Sequence, residues 1–201
     1  MKIVLATNNK DKIREIRNLL DDLSVEILTA EDFDNFLDPE ETGATLEENA
    51  CIKAHAIAQF TGYPSLADDS GLEVDALNGA PGVFSSRFAG PGCTYEDNNR
   101  KLLRELQGVP RERRTAQFRC VICIDWADGT HDMCEGKAEG LIAEDIAGRE
   151  GFGYDPVFYY PHADMRFSEM TLEEKNRVSH RGLALRAARF VIEERLAKPR
   201  G

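Results

Sequence analysis

The stretch Leu66 to Gly71 reads LADDSG and sets two adjacent carboxylates, Asp68 and Asp69, after a short apolar segment. In α/β sheets, ligands gather beyond the carboxyl ends of strands. Ser65 to Ala67 reads as such a strand, which puts the acid pair at its end. Side chains alternate along a strand, so the two acids cannot point the same way. One is suited to a metal, and the other to organising the loop or holding a water. Hard oxygen ligands of this kind suit Mg²⁺, which takes a few carboxylates, waters and substrate phosphates. Asp-Ser-Gly is also ordinary turn chemistry, and the motif alone leaves both readings open.

Three further segments carry chemistry. TNNKDK, residues 7 to 12, joins a strand end to a helix start. Free backbone N–H groups there favour anions, and Lys10 and Lys12 add charge. The Gly-x-x-x-x-Gly-Lys pattern of a Walker A loop is missing, so an Asn-capped solvated helix start competes with it. GFGYDP, residues 151 to 156, has two glycines beside aromatics. Such a backbone can approach a flat ligand closely, with Phe152 or Tyr154 stacking on it. An aromatic-packed turn is the competing view. SHRG, residues 179 to 182, offers donors just before a long helix, or is a plain helix cap. No metal-ligand His pair is present, and Ser70 and Ser179 lie in no nucleophile elbow, so covalent catalysis is not indicated.

The elements that must position these residues follow from periodicity and punctuation. Lys2 to Ala6 is a buried strand, Asn9 to Leu20 a helix with Ile13, Ile16, Leu19 and Leu20 on one face, and Val25 to Leu28 a strand. That order predicts a parallel α/β unit. Asp32 to Gly43 reads as an acidic loop. Thr45-Leu-Glu-Glu48 is a capping box for a helix burying Leu46, Ala50, Ala54, Ile57 and Ala58. Gly79 to Gly92 is a loop, and Thr94 to Leu106 another capped helix. Phe118 to Trp126 and Thr130 to Gly140 form a hairpin about Asp128-Gly129. Val157 to Tyr160 is a strand, and Gly182 to Leu196 a helix with Leu183, Ala187, Phe190 and Val191 on its buried face.

Composition narrows the function classes. At 201 residues and 42% hydrophobic, the chain can bury a real core. No apolar run is long enough to cross a bilayer, and MKIVLATNNK turns polar too soon for a signal peptide. Five scattered cysteines argue against a disulfide framework, and the expected setting is cytoplasmic. Cys120 and Cys123 form a CxxC inside a nearly unbroken apolar run and read as buried strand cysteines. A net charge of −11 makes duplex nucleic acid and anionic membranes poor partners. The charge is segregated: every charged residue from Glu31 to Glu48 is an acid, and every one from Lys175 to Arg189 is basic. Such segregation suits a metal bound to a phosphorylated small molecule, or two solvated faces of opposite sign.

Taken together, TNNKDK, EETG at 40 to 43, Glu48-Asn49-Ala50, LADDSGLEVDAL, GAPGVFSSR, GFGYDPVF and EEKNRVSHRG resemble the inosine triphosphate pyrophosphatase family, also called XTP/dITP diphosphatases. Each motif alone is weak, but together they span nearly the whole chain. The resemblance implies one domain over residues 1–201, an elongated two-lobed α/β fold with a long central mixed sheet, flanking helices and an active-site cleft between the lobes. It also implies a homodimer and a Mg²⁺-dependent hydrolysis of ITP, dITP or XTP to the monophosphate and pyrophosphate, which cleanses the nucleotide pool of deaminated purines.

Carried over residue by residue, the resemblance gives the triphosphate to Thr7, Asn8, Asn9, Lys10, Asp11 and Lys12, and sets Lys53 facing the phosphates. Glu41 and Asp69 would hold Mg²⁺ with Asp68 adjacent, and Asp69 would be the proton acceptor. Ser70, Phe152, Gly153, Tyr154, Asp155, Lys175, His180 and Arg181 would complete the substrate site. Donors from His180-Arg181 would suit the 6-oxo group of hypoxanthine and xanthine and oppose the 6-amino group of adenine. Two rival readings are a metal-dependent phosphatase for another metabolite, which would release orthophosphate, and a nucleotide-binding regulator without turnover.

Overall fold

A computed structural model of the chain describes residues 1–36 and 39–197. Strand β1 (Lys2–Leu5) buries Ile3, Val4 and Leu5 completely. Helix α1 (Lys10–Leu20) buries Ile16 and Leu20, and strand β2 (Glu26–Leu28) lies parallel to β1. The predicted α/β unit is therefore present. The predicted acidic loop includes residues 37 and 38, which lie outside the described residues.

Helix α2 (Leu46–Thr61) starts at Thr45, whose hydroxyl accepts the Glu48 N–H at 3.1 Å. The Glu48 carboxylate accepts from the Ala44 N–H at 2.6 Å, so the helix start ties down the segment before it. Leu46, Ala50, Ala54, Ile57 and Ala58 are buried as predicted, joined by the polar Asn49 and Lys53.

Strand β3 (Ser65–Val74) corrects the reading of LADDSG. It runs ten residues, so Asp68 and Asp69 lie mid-strand and Ser70-Gly71 is no turn. Gly71 is there for close approach: a Cβ would meet the Gly82 carbonyl oxygen at 2.6 Å. Glycine allows two backbones to approach without breaking the strand.

Helix α3 (Tyr95–Glu105) opens with a complete Thr94–Asp97 capping box. Strands β4 (Thr115–Asp125) and β5 (His131–Ile142) form the expected hairpin, longer than predicted. Strands β6 (Phe158–Tyr160) and β7 (Met165–Arg166) follow, then helices α4 (Leu172–Val178) and α5 (His180–Ala197). The sheet has seven strands in the order β2-β1-β3-β4-β5-β6-β7. β1 pairs parallel with β2 and β3, and β6 antiparallel with β5 and β7, so the sheet is mixed.

The chain divides into two compact units. The first comprises Met1–Asp69, Cys120–Gly136 and Arg181–Gly201, and the second Ser70–Arg119 and Lys137–His180. The first unit's core gathers Ile3, Leu5, Ile16, Leu66, Ile122 and Ile192 among others. The second unit's core gathers Leu72, Leu102, Phe118, Phe158 and Phe167.

In α5 the buried face differs from the predicted one. Ala184, Leu185, Ala188 and Ile192 are buried, Ala187 and Val191 pack at the margin, and Leu183 and Phe190 are exposed. Apolar residues occur almost all round this helix, so periodicity alone could not choose the face.

Candidate active site

In the first unit, three basic and four acidic side chains meet around the middle of β3. Asp68 and Asp69 point to opposite sides of the strand, as alternation requires. Asp69 Oδ1 accepts from Lys53 Nζ at 3.0 Å, and Glu41 Oε1 accepts from the same ammonium at 2.9 Å. Lys53 also donates to the Asp68 carbonyl at 2.9 Å. Asp68 Oδ2 instead meets Lys12 Nζ at 3.1 Å and Arg181 Nε at 3.1 Å. Arg181 Nη1 donates to Glu15 Oε2 at 2.5 Å.

Each element contributes for a local reason. Asn49 and Lys53 lie one turn apart on the buried face of α2. Asn49 Oδ1 accepts the Gly43 N–H at 2.8 Å, which pins the segment carrying Glu41 beside Lys53. The Asn49 Nδ2 group is buried with no hydrogen-bond partner. α1 supplies Lys12 and Glu15 to the same side of β3.

The electrostatics separate the two aspartates. Burial works against the Asp68 charge, yet Lys12, Arg181 and Lys53 together hold its carboxyl well below the usual range. Burial pushes the Asp69 carboxyl up and Glu41 adds to this, while Lys53 pulls the other way; the net direction is upward. Burial also opposes the Lys53 charge, but Asp69, Asp68 and Glu41 overcome it and raise its pKa. Arg181 behaves likewise, with Asp68 and Glu15 overcoming burial. The surroundings thus favour the charged form of Asp68 and tune the proton affinity of Asp69 upward.

Glu41 and Asp69 fit a divalent cation. Their oxygens already converge on one cationic centre, the Lys53 ammonium, and their side chains are 28% and 10% exposed. Two hard carboxylates match the oxygen ligands that Mg²⁺ takes alongside waters and substrate phosphates, in place of a closed protein cage. Among the described residues, no group of three or more His, Cys, Asp or Glu gathers to form such a cage. Asp68 does not fit the metal role expected for it. Its side chain is fully buried, and Oδ2 faces two cationic side chains.

Other expectations are also redrawn. The backbone N–H groups of Asp11 and Lys12 are not free for an anion, because Asn9 Oδ1 accepts both, at 2.9 and 3.3 Å. Thr7 Oγ1 accepts the Asn9 N–H at 3.2 Å. Asn8 and Lys10 are exposed, and Asp11 is half-buried. Arg181, expected at the base, is buried between two carboxylates. The basic run from Lys175 to Arg189 is largely neutralised, since Lys175, Arg177, Arg181 and Arg189 all pair with acids.

The second unit holds the remaining candidates. Lys175 Nζ donates to Asp155 Oδ2 at 2.7 Å, and the pair is almost wholly buried. Asp155 Oδ2 also accepts the Phe152 N–H at 2.8 Å, closing the GFGYDP turn. Gly151, at φ +75°, leaves room for that carboxylate: a Cβ would lie 2.1 Å from Oδ2. The Phe152 ring lies under Lys175 Nζ, 4.8 Å from ring centroid to nitrogen.

Tyr154 does not serve as an open stacking ring. It belongs to the core, with its hydroxyl donating to the Ser85 carbonyl at 2.9 Å. Asn99 Nδ2 donates to the Gly153 carbonyl at 2.8 Å. The buried His180 ring stacks flat on Phe118 with centroids 4.5 Å apart, and Ser70 is half-buried in β3.

Glu15, Asn49 and Asn99 were not foreseen. The signal for Glu15 was present: it lies four residues before Leu19, at the margin of an otherwise apolar face. Asn49 likewise interrupts the buried face of α2 next to Ala50.

A model of the Ham1 family matches residues 3–190. A protein of Desulforamulus reducens described as a dITP/XTP pyrophosphatase is 50% identical over 192 residues, covering 96% of each chain. One of the same description from Geobacter sulfurreducens is 50% identical over 184 residues and 92% of each chain. The solved structure of a HAM1 protein from Coxiella burnetii has a TM-score of 0.89 to this chain at 44% identity, covering 96% of this chain and 99% of that one.

Proposed function

The chain belongs to the Ham1 family, and from that premise we propose that it hydrolyses ITP, dITP and XTP to the monophosphate and pyrophosphate, clearing deaminated purines from the nucleotide pool. The observation that carries this reading is the Lys53 ammonium held between Glu41 and Asp69. Phosphoryl-group chemistry needs charge neutralisation and an aligned water more than covalent help. This cluster offers both cationic and basic groups.

Glu41 and Asp69 are the residues proposed to hold Mg²⁺. Bound there, the ion would neutralise phosphate charge and acidify a water. Asp69 accepts the proton of the attacking water at its carboxylate, a role suited by its raised proton affinity. Lys53 orients that carboxylate and, with Lys12, offsets phosphate charge. Asp68 holds Lys12 and Arg181 in place rather than touching the metal. Residues 7 to 12 serve the triphosphate through side chains, since Asn9 occupies two of the backbone donors. Ser70, Phe152, Gly153, Asp155, Lys175 and His180 serve the nucleoside part, with the Phe152 ring as its apolar contact. The proposed setting is a cytoplasmic homodimer.

The test is a product assay with Mg²⁺ across ITP, XTP, dITP, GTP and ATP. The expected result is monophosphate plus pyrophosphate, fastest from the first three. Orthophosphate as the first product, or binding of ITP without turnover, would overturn the proposal.

A further inference from the structure

Helix α2 carries a thiol that nucleotide hydrolysis does not use. Cys51 Sγ lies 3.1 Å from Cys123 Sγ on β4 and 3.6 Å from Met133 Sδ on β5, all within the first unit. Cys123 is buried, whereas Cys51 is only partly so. Both are free thiols. A sulfur–sulfur separation of 3.1 Å is about 1 Å longer than a disulfide bond, a gap that side-chain rotation and a small helix shift can close. Burial as a small apolar side chain accounts for Cys120 and Cys134. It does not account for a helix thiol set against a strand thiol with one of the two reachable from outside.

We propose that Cys51 and Cys123 form a reversible disulfide, with a low-molecular-weight disulfide such as glutathione disulfide as the oxidant. The Cys51 thiol loses its proton to solvent, and the thiolate attacks one sulfur of the oxidant. A mixed disulfide forms and one thiolate leaves. Cys123 loses its proton and attacks Cys51 Sγ, forming the Cys51–Cys123 bond and releasing the second thiolate, which takes up a proton. Two protein thiols are oxidised and one disulfide is reduced to two thiols, so the exchange balances. The order of attack follows from access. Burial pushes the Cys123 thiol up, with the Cys51 contact adding to it, which makes Cys123 the resolving sulfur.

The experiment incubates the full chain with excess glutathione disulfide, quenches free thiols with iodoacetamide, and reads intact mass and peptide maps. The expected product has lost two hydrogens, carries a Cys51–Cys123 cross-link, and reverts with dithiothreitol. Cys123→Ser should stop at a glutathione adduct on Cys51, and Cys51→Ser should give neither product. An unreacted wild-type chain, an adduct on Cys51 that never resolves, or a cross-link through Cys93, Cys120 or Cys134 would overturn the proposal. The mass readout is independent of nucleotide hydrolysis, so its failure leaves the proposed function untouched.

Discussion

Arg181→Ala separates two roles for the SHRG segment. Arg181 is 3% exposed and is gripped by Glu15 at 2.5 Å and by Asp68 at 3.1 Å. Truncation leaves Glu15, itself 1% exposed, without its guanidinium partner. Removing one member of a buried ion pair costs ~3–5 kcal/mol, because the other charge stays desolvated. Asp68 keeps Lys12 at 3.1 Å, which places the loss toward the lower half of that range. For a chain of this size, 1 kcal/mol corresponds to a Tm change of roughly 2–4 °C, so a fall of roughly 6–15 °C is expected. Calorimetry at neutral pH reads that fall directly. The double variant Glu15→Leu with Arg181→Met should recover a good part of it, since an apolar pair replaces the whole ion pair. Where Arg181→Ala remains folded, kcat/KM for dITP and dATP should drop by a similar factor. A Tm within ~2 °C of wild type, together with a collapse of the dITP-to-dATP ratio, would refute the structural role and return Arg181 to the base.

Asp69→Asn should cut turnover by at least ~10²-fold with the circular dichroism spectrum unchanged, because an amide cannot take the proton of water; a variant keeping most of its rate would remove Asp69 from the mechanism. A chelator should abolish hydrolysis and added Mg²⁺ restore it, and Glu41→Gln should raise the metal concentration needed, checked independently by Mn²⁺ binding in electron paramagnetic resonance. Asp68 has a folded pKa below its unfolded one, so its charge stabilises the fold above the unfolded value and this contribution is lost as pH falls toward the folded one. Asp68→Asn should therefore destabilise the protein most at neutral pH, with the gap to wild type closing below about pH 4 in urea titrations.

Much of the framework was legible in the chain. Period-3.6 spacing marked α1 and α2, the Asp128-Gly129 turn marked the β4–β5 hairpin, and strand alternation already required Asp68 and Asp69 to diverge. Local rules reach that far because caps, turns and the faces of helices with a single apolar stripe are decided by neighbours in sequence. Three things depended on tertiary structure. LADDSGLEV became one unbroken strand because it lies hydrogen-bonded between β1 and β4 in the sheet, a pairing no local pattern encodes. The buried face of α5 was decided by what packs against it, since its apolar residues point in several directions. The partners of each charge were decided by burial at long range. Arg181 finds Glu15 across 166 residues and Asp68 across 113, and Lys53 gathers Glu41 and Asp69 on one ammonium. The sequence by itself determined which charged residues exist and on which elements they ride. Only the folded chain decided which of them neutralise one another, because a desolvated charge must take the nearest counter-charge the fold supplies.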